Sequence, residues 1–212
     1  MIQNIIFDLD GTIVDSSRDV LYCLRKAYNI IPIYYGIQIK KYHLGLPLND
    51  IISQITPDIS EPHKSIVVKE FRNLYDTSTF PRSTLYPGAL ELLQRLKLRG
   101  SKIFISTNRA SFSTTRILTN FNIDFFDGMT TSTHYKSKTD MIGYLILTHT
   151  LNQFKTVMIG DDAQDIIAAH ENSIKSIAVL NGYGNTKKLL AAKPFYTIKD
   201  ISTLNKPNGI NI

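Results

Sequence analysis

Near the start of the chain, Asp8-Leu9-Asp10-Gly11-Thr12 sets two carboxylates two positions apart at the end of a short apolar run. A carboxylate so placed can act as a nucleophile or bind a hard cation, and a second acid beside it can move protons. Gly11 lets the backbone turn away sharply, and the Thr12 hydroxyl can fix a carboxylate or face a phosphate. Three further groups have matching chemistry: Ser106-Thr107-Asn108-Arg109 and Gly160-Asp161-Asp162 end two more apolar runs, Asp165 follows closely, and Lys136 and Lys138 precede a helical pattern. Together these residue types suit phosphoryl transfer through a protein carboxylate. Attack of Asp8 on a dianionic phosphate is opposed by Coulomb repulsion unless cations intervene. Asp8 and Asp161, with a main-chain carbonyl, are the oxygen donors that Mg²⁺ prefers. A lysine supplies a second positive charge, while Ser106 or Thr107 and the amides after it, Asn108 included, hold phosphate oxygens. Asp10 is placed to protonate the leaving alcohol and then to activate water.

These groups are distant in sequence, so the elements between them must bring them together. Asn4 to Phe7, Lys102 to Ser106, Thr156 to Ile159 and Ser176 to Leu180 are short apolar runs that read as buried parallel strands, and Phe195 to Ile198 is a further candidate. Helical periodicities separate them: Ala89, Leu92, Leu93 and Leu96, then Met141, Ile142, Leu145 and Ile146. The alternation predicts an α/β fold, a Rossmann-like doubly wound parallel sheet, with ligands bound beyond the carboxyl ends of the strands. It is interrupted after the first strand by a stretch without convincing strands. Three helices are expected there: one capped by Ser16 or Ser17 and carrying Val20, Leu21, Leu24 and Tyr28, one opened by Pro47, and one through Val67, Phe71, Leu74 and Tyr75. The predicted division is a core of residues 1–15 and 85–212, with a helical cap domain at 16–84.

The bulk properties narrow the classes. With 212 residues, 43% apolar and 20% charged, the chain can bury a substantial core. No apolar run is long enough to cross a bilayer, and no signal-peptide pattern follows Met1, so a cytoplasmic protein without membrane partners is expected. The formal charge is +6, but the basic residues are dispersed, with no run longer than Lys40-Lys41 or Lys187-Lys188, which argues against a nucleic-acid partner. Cys23 sits on the apolar side of a helical pattern and reads as a buried thiol. The histidines His43, His63, His134, His149 and His170 show no metal-ligand spacing.

Phe7-Asp8-Leu9-Asp10-Gly11-Thr12-Ile13-Val14-Asp15-Ser16 resembles the first motif of the haloacid dehalogenase-like hydrolase superfamily, in its phosphoglycolate phosphatase-like branch. Tyr86-Pro87-Gly88-Ala89 resembles the segment where that family's core resumes, Leu44-Gly45-Leu46-Pro47-Leu48 a loop of its helical cap, and Asn181-Gly182-Tyr183-Gly184 its turn after a later core strand. The resemblance implies an Asp8 nucleophile, Asp10 as acid and base, Thr107 at the phosphate, and Mg²⁺ on Asp8, the Asp10 carbonyl and Asp161, with Asp162 and Asp165 as further candidates. Two departures matter. The lysine motif commonly carries prolines, whereas this chain reads Lys136-Ser137-Lys138-Thr139-Asp140, so either lysine could serve and Lys138 is preferred. Ser106 could likewise replace Thr107. Because Asp10 is present, phosphate-ester chemistry is favoured over dehalogenation. The implied activity is hydrolysis of a small phosphorylated metabolite, phosphoglycolate-like or a sugar phosphate, by a monomer or homodimer. A phosphomutase of the same fold is the alternative, disfavoured by Leu48 where a basic residue would be expected. A protein that binds phosphate without turning it over is another.

Overall fold

The computed structural model describes residues 2–40, 44, 46–135 and 137–205. Its centre is a six-stranded sheet in the order β5-β4-β1-β6-β7-β8. The strands are β1 (Asn4–Phe7), β4 (Lys102–Thr107), β5 (Gly128–Thr131), β6 (Thr156–Gly160), β7 (Lys175–Val179) and β8 (Tyr196–Ile198). All five pairings are parallel. Successive side chains of a strand point to opposite faces, and here both faces are apolar. Ile5, Phe7, Ile103, Ile105, Val157 and Ile159 belong to one cluster; Ile6, Phe104 and Met158 belong to another, on the opposite face. This double burial explains why the strands read as unbroken apolar runs.

Helices cover both faces. Leu92, Leu93 and Leu96 of α4 (Ala89–Leu98) and Ile117 of α5 (Ser111–Asn120) join the first cluster. Ile142 and Leu145 of α6 (Lys138–Thr148), with Ala168 and Ala169 of α7 (Ala163–Glu171), join the second. A short α8 (Thr186–Ala191) precedes β8.

Two features differ from the expectation. β5 was not anticipated, because Gly-Met-Thr-Thr offers no apolar run and only its last two residues are buried. It forms at the sheet edge, where pairing with β4 rather than burial on two faces defines it. The second is a two-residue antiparallel ribbon of β2 (Val14–Asp15) and β3 (Thr84–Leu85), at the point where the chain leaves the sheet and returns.

Between these two short strands lie α1 (Ser17–Asn29), α2 (Leu48–Ile55) and α3 (Glu61–Thr77), the three helices expected there. Leu24 and Tyr28 of α1, Ile52 of α2 and Val67 and Phe71 of α3 pack into the apolar cluster that also contains Phe7 and Ile105, so the insert's core is continuous with one face of the sheet. Cys23 is buried on α1, and burial pushes its thiol up to about 11, which excludes it as a thiolate nucleophile near neutral pH.

The neck of the insert is pinned by a buried acid. Asp19 Oδ2 accepts the Arg82 N–H (3.0 Å) and the Ser83 hydroxyl (2.7 Å), while its Oδ1 lies 3.4 Å from Arg82 Nη1. Replacing it by alanine strands those donors, so Asp19→Ala should cost about 2–4 kcal/mol in urea unfolding. A loss below about 0.5 kcal/mol, the usual range for surface changes, would contradict this role.

Candidate active site

The carboxyl ends of β1, β4 and β6 converge as the strand-end rule requires. Asp8 follows β1 directly and its N–H donates to the Ile159 carbonyl (2.9 Å). Asp161 follows β6, and Asp165 lies in the first turn of α7. One carboxylate oxygen from each of Asp8, Asp161 and Asp165 lies within 4.8 Å of the others, all three residues being buried.

Lys138, the first residue of α6, reaches into this cluster. Its Nζ donates to Asp8 Oδ1 (2.5 Å) and to the Ser106 carbonyl (2.7 Å), and lies 3.0 Å from Asp165 Oδ1. The helix start is fixed by Ser137, whose hydroxyl accepts the Asp140 N–H (3.1 Å). Lys136, the other candidate lysine, lies outside the described residues, as do Lys41, Tyr42, His43 and Gly45.

Asp161 is held from three directions. Thr12 Oγ1 donates to its Oδ1 (2.9 Å), and the N–H groups of Tyr183 (2.7 Å) and Gly184 (3.2 Å) donate to its Oδ2. So close a wrap leaves no room for side chains: a Cβ on Gly11, whose φ is +97°, would sit 2.3 Å from Asp161 Oδ2, and one on Gly182 would sit 2.2 Å away. Thr12, read from the sequence as fixing a carboxylate or facing a phosphate, is fully buried and gives its hydroxyl to the Asp161 carboxylate. Asp162 caps α7, its Oδ1 accepting the Gln164 N–H (2.9 Å), while Asp165 Oδ2 accepts the Asp162 N–H (3.1 Å).

Asp10 points elsewhere. Arg109 grips it with two bonds, Nε to Oδ2 (3.0 Å) and Nη2 to Oδ1 (2.5 Å), and the Ser16 hydroxyl also donates to Oδ1. The Arg109 guanidinium lies 4.9 Å from the ring centres of both Tyr75 and Phe80, so two aromatic side chains of the insert hold a cation that binds a core acid. In the sequence Arg109 is only the last residue of a strand-end group, and Ser16 only the last of the first motif and a helix-cap candidate. Neither pattern signals that they meet at Asp10.

These groups open on a cavity of about 650 Å³, lined on the sheet side by Asp8, Asp10, Thr107, Asn108, Lys138 and Asp161. The insert contributes Leu46, Leu48, Ile51, Phe71, Arg72 and Tyr75 to its walls. Thr107 Oγ1 accepts the Arg109 N–H (3.1 Å), whereas the Ser106 hydroxyl is buried without a partner among the described residues and does not line the cavity.

The electrostatics favour a bound cation. Burial, opposed by Lys138 and reinforced by Asp165 and Asp161, holds the Asp8 carboxyl well above the usual range. Burial and Asp165 push Asp161 up to about 7 against its hydrogen-bond donors. Burial disfavours the Lys138 charge, but Asp165 and Asp8 outweigh it and keep the ammonium above its ordinary value. Three buried carboxylates against one lysine suit a hard divalent ion with oxygen ligands.

The family model for haloacid dehalogenase-like hydrolases matches residues 5–179, and the chain belongs to that family. It is 29% identical over 193 residues to the tyrosine-protein kinase PtkA of Mycobacterium tuberculosis, covering 86% of this chain and 63% of that relative, so it spans less than two thirds of the relative's length. It is 27% identical over 216 residues to a phosphoglycolate phosphatase of Vibrio cholerae, covering 96% of this chain and 95% of the relative. Among solved structures, a haloacid dehalogenase-like family hydrolase from Streptococcus pneumoniae superposes with a TM-score of 0.81 at 28% identity, over 92% of this chain and 93% of that one. No helix among the described residues is long and apolar enough to cross a membrane.

Because Asp8 and Asp161 are raised above the roughly 4 of an unfolded carboxylate, they favour the folded state most at low pH, and the Asp161 contribution is lost as pH rises through about 7. In EDTA, the melting temperature should therefore fall between pH 5 and pH 8. A divalent cation should recover more of it at pH 8 than at pH 5, because protons and metal compete for the same oxygens. A melting temperature independent of both pH and cation would remove the acid cluster as a metal site.

Proposed function

We propose that the protein is a Mg²⁺-dependent phosphatase that hydrolyses a small phosphate monoester through an aspartyl-phosphate on Asp8. The observation that carries this reading is Asp8 itself: a buried carboxylate at a strand end, touched by Lys138, within reach of two further acids and open to a cavity. Mg²⁺ held by Asp8, Asp161 and the Asp10 carbonyl, with Asp165 close by, would supply charge neutralisation at the phosphate.

The chain's own groups then divide the work. An Asp8 oxygen attacks phosphorus, the ester P–O bond breaks, and its electron pair leaves on the ester oxygen, which takes a proton from the Asp10 carboxyl. Water then attacks the acyl-phosphate, the bond to Asp8 breaks, and Asp10 takes the proton from that water. Lys138 holds Asp8 in line and offsets charge on the phosphate. Thr107 and Asn108 hold the other phosphate oxygens, the Thr107 hydroxyl having its own proton to donate. Asp10, now engaged with Arg109 and Ser16, turns its Oδ2 from Arg109 to the ester oxygen during turnover, while the Ser16 hydroxyl keeps its bond to Oδ1.

Residues 16–84 act in this reading as a cap. Their mostly apolar wall limits the substrate to a small molecule and keeps bulk water from the reacting atoms. Arg72 lines that wall without an ion pair among the described residues, which suits an ester carrying a second anionic group such as a carboxylate. The likeness to a phosphoglycolate phosphatase agrees with such a substrate. A phosphomutase would use the same chemistry but return the phosphate to a sugar, so release of inorganic phosphate separates the two.

A screen of small phosphate esters with Mg²⁺ should give phosphate release that Asp8→Asn abolishes. EDTA should stop it and Mg²⁺ restore it, while Ca²⁺, larger and less strictly octahedral, should support little. Full activity in Asp8→Asn or in metal-free buffer would overturn the reading. Lys138→Ala should lower turnover by about a hundredfold or more, as removal of a charge acting on the transition state commonly does. A loss under about threefold would pass the role to another cation.

A further inference from the structure

Ser16 occupies the N-cap of α1, a position where a serine hydroxyl usually accepts a helix N–H and stabilises by about 1 kcal/mol. Here it makes no such bond and donates to Asp10 instead. Its backbone is fixed from far away: the Ser16 N–H donates to the Tyr183 hydroxyl at 2.6 Å, across 167 residues of chain, and the Ser16 hydroxyl lies 3.4 Å from the same oxygen. The Tyr183 oxygen also lies 3.1 Å from Asp15 Oδ1 and 3.4 Å from the Val14 carbonyl. At its other end, the Tyr183 N–H holds Asp161 at 2.7 Å. One buried residue thus grips a member of the acid cluster with its main chain and the start of the insert with its side chain.

We infer that Tyr183 is a positioning residue which, acting through Ser16, sets the Asp10 carboxyl for proton delivery to the departing ester oxygen. This rests on the proposed role of Asp10 as that proton donor. A serine side chain turns about one bond, so where its hydroxyl points depends on where its backbone is held. The Tyr183 hydroxyl does the holding, at the residue where β2 ends and the insert begins. Arg109, the other partner of Asp10, is braced by the rings of Tyr75 and Phe80, and the Tyr75 side chain also hydrogen-bonds with Ser16. Phenylalanine at 183 would keep the ring's packing and the N–H on Asp161, yet leave the buried Ser16 N–H without its acceptor. The affected event is the first step only: the ester P–O bond breaks, its electrons pass to the ester oxygen, and the Asp10 proton follows. An alkoxide requires that proton, whereas p-nitrophenolate leaves readily without it.

The test compares kcat/KM, which reports the first step, for an alkyl phosphate found by the screen and for p-nitrophenyl phosphate. Tyr183→Phe should lower the alkyl-to-aryl ratio at least about tenfold, within the range that general-acid catalysis supplies. Ser16→Ala should lower the same ratio, and the double variant should fall no more than about twofold below the lower single one, as expected for two residues acting on one path. The Mg²⁺ concentration for half-maximal activity should stay within about threefold of the parent, because the main-chain bond to Asp161 remains. Equal losses on both esters, an unchanged ratio, a ratio that falls in only one of the two single variants, or a large rise in Mg²⁺ requirement would each overturn the inference. Should Asp8→Asn retain activity, the proposed chemistry fails instead, whatever the ratio does.

Discussion

Everything around the site follows from crowding three buried carboxylates, Asp8, Asp161 and Asp165, into a space where their oxygens lie within 4.8 Å. Like charges at that separation and low polarity repel strongly, and burial adds a desolvation cost to each. The fold answers with donors: Lys138 against Asp8 and Asp165, and Thr12, Tyr183 and Gly184 against Asp161. Glycines at 11 and 182 let those segments approach Asp161 within distances that no side chain would allow. The parallel sheet makes such crowding possible at all, since strands running the same way end on the same edge and deliver their next residues to one place.

The second constraint is the placement of Asp10. Two residues beyond Asp8, its side chain leaves the acid cluster and meets Arg109 and Ser16. That separation keeps a fourth carboxylate out of an already overcharged space. It also ties Asp10 to the insert through two routes, the aromatic faces of Tyr75 and Phe80 on Arg109 and the junction residue Ser16 itself. On the proposed chemistry, a group that must give and then take a proton is thereby joined to the element that covers the substrate. The capping bond that α1 forgoes at Ser16 is local stability traded for that link.

Much of the architecture was legible because its signals are local. A strand buried on both faces must be apolar throughout, so β1, β4, β6 and β7 announce themselves in four to six residues, and helices such as α4 and α6 do so by the spacing of Leu92, Leu93 and Leu96 or of Met141, Ile142 and Leu145. The acids at strand ends follow from the same reading, since polar residues closing an apolar run in a parallel sheet must lie on the ligand-binding edge. β5 and the β2 and β3 ribbon carry no such pattern; pairing alone defines them.

The sequence by itself therefore determined the doubly buried strands, the helices that follow the first of them and which acids and lysines are candidates for chemistry, because each is written in residue type and short-range period. Only the tertiary structure decided which partner each one takes: Thr12 turns to Asp161 across 149 residues, Arg109 to Asp10 across 99, Lys138 to Asp8 across 130 and Ser16 to Tyr183 across 167. Such contacts depend on how strands are ordered and where loops return, and a hydroxyl or guanidinium has the same local spelling whether it caps its own helix or reaches across the molecule to an acid.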